Sequence, residues 1–224
     1  MRADRVRLSS LKNVFNRGAR KRMINVIMKS GVFIYPIIFC SILSLAIFFE
    51  KIWSLRKKRI MPVEFLNDIE KLLKKKNISE ALRLCDVNRS SISSIFSAGI
   101  KNYGKRREVI KERIEEVGRR EALNLERYVD ALATIASIST LLGLLGTIAG
   151  MIKIFSVISL QSVVNPSSLA GGISEALYTT AAGLTVAIPT LVFYRYLSSK
   201  SHALIVEMEA CSAQMVELIK EKEE

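Results

Sequence analysis

The chain has 224 residues, half of them hydrophobic, and a formal charge of +13, a combination that excludes an ordinary soluble domain with one buried core unless the two kinds of residue are segregated. They are segregated, into long apolar blocks with charge between them, the composition of a small polytopic membrane protein. Cys40, Cys85 and Cys211 lie in three separate segments and His202 is the sole histidine, so neither a disulfide framework nor a metal or haem site is expected, and no cofactor.

Residues 1–30 hold nine Lys and Arg against the single Asp4. Leu8, Leu11, Phe15, Met23 and Ile27 fall at spacings compatible with a basic amphipathic helix lying on a lipid surface. Residues 31–49, Gly31 to Phe49, form 19 uncharged positions, roughly 28 Å as a helix and about one hydrocarbon core. That run exceeds the usual apolar stretch of a cleaved leader, about 7–15 residues, and no small-x-small site precedes Glu50, so it reads as a retained anchor.

Residues 50–130 are predicted to be a cytoplasmic helical region. From Lys51 to Val129 there are 20 Lys and Arg and 11 acids, and apolar residues recur at helical spacing in "VEFLNDIEKLLKKKNISEALRLC". The period in "EVIKERIEEVGRREALNLERYVDAL" continues into the second apolar block, predicting one long helix there. Residues 131–152 are the second span, 153–175 a short outer connection, 176–194 the third span, and 195–224 a C-terminal helix continuing from it. The fold class is therefore an all-α membrane protein with three transmembrane helices and long cytoplasmic helical extensions.

The excess of cations in the 79-residue basic segment places that segment, and with three spans the C-terminus, in the cytoplasm, leaving the N-terminus outside. Trp53, Tyr128, Tyr194 and Tyr196 fall at span ends that this topology puts at one interface. The charge sits at membrane borders and in a loop mixed with acids, which fits topology-setting better than nucleic-acid binding. A hydrolase is not expected either, since G-x-S-x-G, H-E-x-x-H and P-loop patterns are absent.

In the second span, Ala136, Thr140, Gly143, Thr147 and Gly150 alternate spacings of four and three and share one stripe. Gly146 and Gly150 add a G-x-x-x-G pair. The third span repeats the device with Ala176, Thr180, Gly183, Ala187 and Thr190. In lipid, small residues let backbones approach closely, so both stripes predict helix packing. Glu175, at the entrance of the third span, is either an ionisable functional group near a membrane core or a solvated carboxylate capping a helix. Pro189 is expected to kink the third helix.

The stretches "LLGLLGTIAGMIKIF" and "GGISEALYTTAAGLTVAIPTLVFYRYL" resemble the paired signature of the ExbB/TolQ/MotA proton-channel family, and three spans match its ExbB and TolQ branches. The resemblance runs from about Arg119 to Ser199 and implies a homo-oligomeric ring, a pentamer, in a bacterial inner membrane. Its pore would be lined by the second and third spans and occupied by single spans of an ExbD/TolR-like partner, with a TonB/TolA-like protein as a further partner. Thr147 in "LLGT" and Thr180 in "YTTAAG" match the pore-facing threonines, and Glu175 in "ISEAL" the carboxylate near the outer mouth. The small residues would keep that channel wide enough for partner helices. The implied role is a non-enzymatic scaffold that uses the proton motive force for transport or envelope work. A non-conducting scaffold and a MotA-like motility stator are the alternatives, the latter disfavoured because that branch generally has a fourth span. Lys153 departs from the pattern, being a cation where many relatives are neutral.

Overall fold

A computed structural model describes residues 32–160 and 166–220. The basic amphipathic segment expected over residues 1–30 lies outside the described residues. Eight helices are found among those described: α1 Ile34–Ser54, α2 Lys57–Ile60, α3 Val63–Lys74, α4 Ile78–Asn88, α5 Ser91–Ile100, α6 Arg107–Glu126, α7 Val129–Leu160 and α8 Pro166–Lys220. Three helical stretches are long and apolar enough to cross a membrane: Ile34–Ser54, Arg107–Ser159 and Leu169–Leu218. The chain divides into two compact units, the first made of residues 1–45 and 133–191, the second of 46–132 and 192–224.

In the first unit, α1 buries Ile34, Ile37, Cys40 and Ser44, a stripe at spacings of three and four, and turns Tyr35, Phe39 and Ile42 outward. In water such exposed apolar surface would be costly, whereas against lipid tails it costs little, and only the polar groups need partners inside the protein. Ser44 has one: its hydroxyl lies 2.8 Å from that of Thr190 on α8. Thr190 commits its own proton to the Val186 carbonyl at 2.7 Å, so Ser44 is the donor between them.

The second unit is built on large side chains. Phe65, Ile69 and Leu73 of α3, Ile92, Ile95, Phe96 and Ile100 of α5, and Ile110 and Ile114 of α6 are buried in one cluster with Leu197, Leu204, Met208 and Met215 of α8. The α8 residues follow a four-and-three spacing once the buried Ser201 and Ser212 are included, which is the seam of an amphipathic tail packing on a core. Local signals start the short helices: the Asn77 side chain accepts the Glu80 N–H and Ser90 accepts the Ser93 N–H, each at 3.3 Å, capping α4 and α5. Gly99 sits where α5, α6 and α8 converge; a Cβ there would come within 2.8 Å of Ile114 Cδ1.

Two expectations require correction. The single long helix running into the second span is interrupted at Arg127 and Tyr128, and Tyr128 takes φ +67°. No glycine or proline marks the break; it is stabilised by tertiary contacts. The buried Lys51 ammonium approaches the carbonyls of Asn124 and Leu125 at 3.5 and 3.4 Å, serving α6's unpaired C-terminal carbonyls. Arg127 also lies over the Tyr128 ring at 4.8 Å. The second correction concerns the outer connection. Helix α7 continues to Leu160 and α8 begins at Pro166, so most of residues 153–175 is helical and only 161–165 falls outside the described residues. Pro166 is pre-organised for a first helical position, and Gly171–Gly172 is an interior helical pair.

Candidate functional site

Helices α7 and α8 meet along the two stripes of small residues. A Cβ placed on Gly143 would lie 3.2 Å from Thr180 Cα and 3.3 Å from Gly183 Cα; one on Gly150 would lie 2.7 Å from Ala176 Cβ; one on Gly146 would collide with the Thr179 side chain. On the other helix, a Cβ on Gly183 would approach the Ser139 carbonyl oxygen to 2.6 Å and Gly143 Cα to 2.9 Å, and Gly172 faces Ile154. Contact numbers rise on α7 as they fall on α8, so the two run antiparallel. Ala136, Ala176 and Ala187 are buried as well. Gly143, Gly146, Gly150, Gly183 and Ala176 therefore lie at the contact between two helices of the same chain.

The threonines divide by position. Thr179 and Thr190 are buried, Thr147 and Thr180 are half-buried, and Thr140 is exposed. Thr140 donates to the Ala136 carbonyl at 3.0 Å and Thr179 to the Glu175 carbonyl at 3.0 Å, the usual back-bonding that satisfies a hydroxyl in an apolar setting. Thr180 differs: its hydroxyl crosses to α7, donating to the Gly143 carbonyl at 2.8 Å, and stands 3.5 Å from the Thr147 hydroxyl. Thr147 in turn donates to the Leu144 carbonyl at 2.6 Å. With each proton drawn to the nearer carbonyl, the two oxygens present lone pairs at the edge of the seam. The site can accept hydrogen bonds and cannot readily donate them.

Glu175 lies nine residues inside α8, so it does not cap a helix. Its carboxylate faces Lys153 of α7 at 3.6 Å. The sequence marked both residues without bringing them together, because the pairing depends on the antiparallel register and on both helices continuing through the expected connection. Pro189 is carried inside α8 without interruption; the adjacent Thr190 hydroxyl bonds the Val186 carbonyl in the turn where proline leaves the ladder one donor short. Sequence reasoning missed two contributors, Ser44 and Thr179. Thr179 stood beside Thr180 in "YTTAAG", where a helical register set by Gly183 would have separated the inward from the seam-edge residue.

The fold and the seam define a class: a helical membrane protein whose last two apolar helices pack through small residues and keep a hydroxyl pair at the edge of the contact. Residues 87–210 match the MotA/TolQ/ExbB proton channel family, and the chain belongs to that family. It is 32% identical to an ExbB-like biopolymer transport protein of Synechocystis sp. over 80% of this chain and 88% of that one. It is 35% identical to the Tol-Pal system protein TolQ of Haemophilus influenzae over 49% of this chain and 53% of the relative. A solved structure of C. jejuni MotAB aligns with a TM-score of 0.48 at 16% identity, covering 81% of this chain and 77% of that chain; the family assignment does not rest on it.

Proposed function

We propose that this chain is the channel-forming scaffold subunit of an inner-membrane complex that converts the proton motive force into transport or envelope work. Copies of the chain form a ring, a pentamer, around the single-span helices of an ExbD/TolR-like partner, with a TonB/TolA-like protein receiving the force. The C-terminus is cytoplasmic and the N-terminus outside. Within the family the similarity to ExbB and TolQ proteins favours this role over a motility stator.

The observation that carries the reading is the half-buried Thr147–Thr180 pair, with both protons committed to backbone carbonyls. A carboxyl group brought against such oxygens is stabilised when protonated, because the acid has a proton to donate and the carboxylate has none. In an apolar setting the carboxylate also bears a desolvation cost. Proton uptake by a partner's carboxyl would thus favour docking at the threonines and proton release would favour leaving, which ties proton passage to relative motion of ring and partner. Each proton crossing delivers about 2.3 kcal/mol per 100 mV of membrane potential, only a few RT, so adjacent docked positions must be close in energy.

Cysteines introduced at Thr147 and Thr180 test the placement. In assembled membranes each is expected to cross-link to a cysteine in the partner's span. Reaction with lipid-soluble maleimides alone, and no cross-link, would place the pair against lipid and contradict the reading.

A further inference from the structure

Among the described residues of the first unit, 32–45, 133–160 and 166–191, only two side chains carry a formal charge, Lys153 and Glu175, and they face each other across α7 and α8 at 3.6 Å. The backbones are held together on both sides of the pair. Gly150 abuts Ala176 on one side and Gly172 abuts Ile154 on the other, so the charges can part only by rotating side chains. The two members are unequally enclosed: the Lys153 side chain is 70% exposed and that of Glu175 is 30% exposed. The carboxylate is the fixed member and the ammonium, on its four-carbon stem, the movable one. Glu175 is also tied to the hydroxyl seam, since its backbone carbonyl accepts the hydroxyl of Thr179, one turn on and next to Thr180.

We propose that Lys153 is a positioning residue for Glu175: it is the resident counter-ion that holds the carboxylate against α7, leaves the end of the seam without net charge, and must be displaced by any cation that engages Glu175. The proposal rests on the channel reading above. It makes the departure at Lys153 part of the site, because an isolated carboxylate near lipid would bear a desolvation cost that a paired one largely avoids. It also assigns the two charges unlike roles. The carboxylate has to be on α8, beside the threonines, and the cation only has to reach it.

Two readouts test this, one of the pair and one of its polarity. On the purified chain in detergent, Lys153→Met and Glu175→Gln are each expected to lower Tm by about 2–4 °C, and the double variant by no more than either single one. Additive losses would overturn the pairing. The exchanged variant Lys153→Glu with Glu175→Lys is expected to keep the wild-type Tm yet lose proton uptake by vesicles containing the assembled complex under an imposed potential. Uptake restored by the exchange would overturn the positioning role, since a simple clamp works in either polarity. A wild-type complex that takes up no protons contradicts the channel reading instead, and the Tm cycle still decides whether Lys153 and Glu175 are coupled.

Discussion

The two units of the chain solve the packing problem with opposite residues. In the second unit Phe65, Ile69, Phe96, Leu197 and Met215 are driven together by the removal of apolar surface from water. In the first unit, Gly143, Gly146, Gly150, Ala176 and Gly183 make the contact, while Tyr35, Phe39, Ile42 and Leu141 point outward. With lipid as the surrounding solvent, large apolar residues gain nothing by turning inward, so the close approach of backbones and a few hydroxyl bonds hold the helices. One helix, α8, shows both regimes within a single element: Ala176, Gly183 and Ala187 are among its buried residues in one unit, Leu197, Leu204 and Met208 among those in the other. Large side chains are thus what the second unit cannot lose, and small ones what the first unit cannot enlarge.

Mutations that violate those rules give the contrast its sharpest test. Phe65→Ala should cost about 3–5 kcal/mol in the second unit, read as a fall in the unfolding midpoint of the detergent-purified chain; a loss within error would contradict the core account. Gly183→Val adds volume where the Ser139 carbonyl and the Gly143 backbone leave none, with an expected cost of about 1–3 kcal/mol and loss of a disulfide between cysteines placed on α7 and α8. The companion change, Gly171→Ala, meets nothing within 4 Å and should be neutral or gain up to about 1 kcal/mol from helix propensity. Equal effects at Gly171 and Gly183 would show that the glycines matter for flexibility and not for contact. The smallest effect is chemical: burial pushes the Cys85 thiol up to about 12, so it stays protonated at neutral pH and should alkylate far more slowly in the folded than in the unfolded chain. Equal rates would mean that the second unit's core is open.

Much of this organisation was legible in the sequence because its signals are periodic. The three spans, the alternation of spacing in both small stripes, and the continuation of α8 from "YRYL" into the tail all follow from counting residues on a helix. What could not be read were the features set by contacts between distant segments. The break at Tyr128 has no local signature, being supported by Lys51, 77 residues earlier in the chain. The extension of α7 and α8 through residues 153–175 was hidden by Pro166 and Gly171–Gly172, which are turn formers in isolation; here Pro166 starts a helix and Gly172, though not Gly171, packs against Ile154. The pairing of Lys153 with Glu175 depended on that extension. At the hydroxyl site, sequence put Thr147 and Thr180 on the stripes, but only the antiparallel register reveals that the Thr180 proton is spent on the Gly143 carbonyl of the facing helix.

That last detail selects the decisive variant. Thr180→Val also removes the 2.8 Å bond between helices, about 0.6 kcal/mol or more, whereas Thr147 donates within its own helix and only accepts across the seam, at 3.5 Å from the Thr180 hydroxyl, so Thr147→Val deletes an acceptor and leaves the Thr180–Gly143 bond in place. The direct measurement is proton uptake by vesicles containing the Thr147→Val chain assembled with its partner. The account predicts intact assembly with uptake lost; uptake at the wild-type rate would contradict it and take the Thr147 hydroxyl out of the proton path.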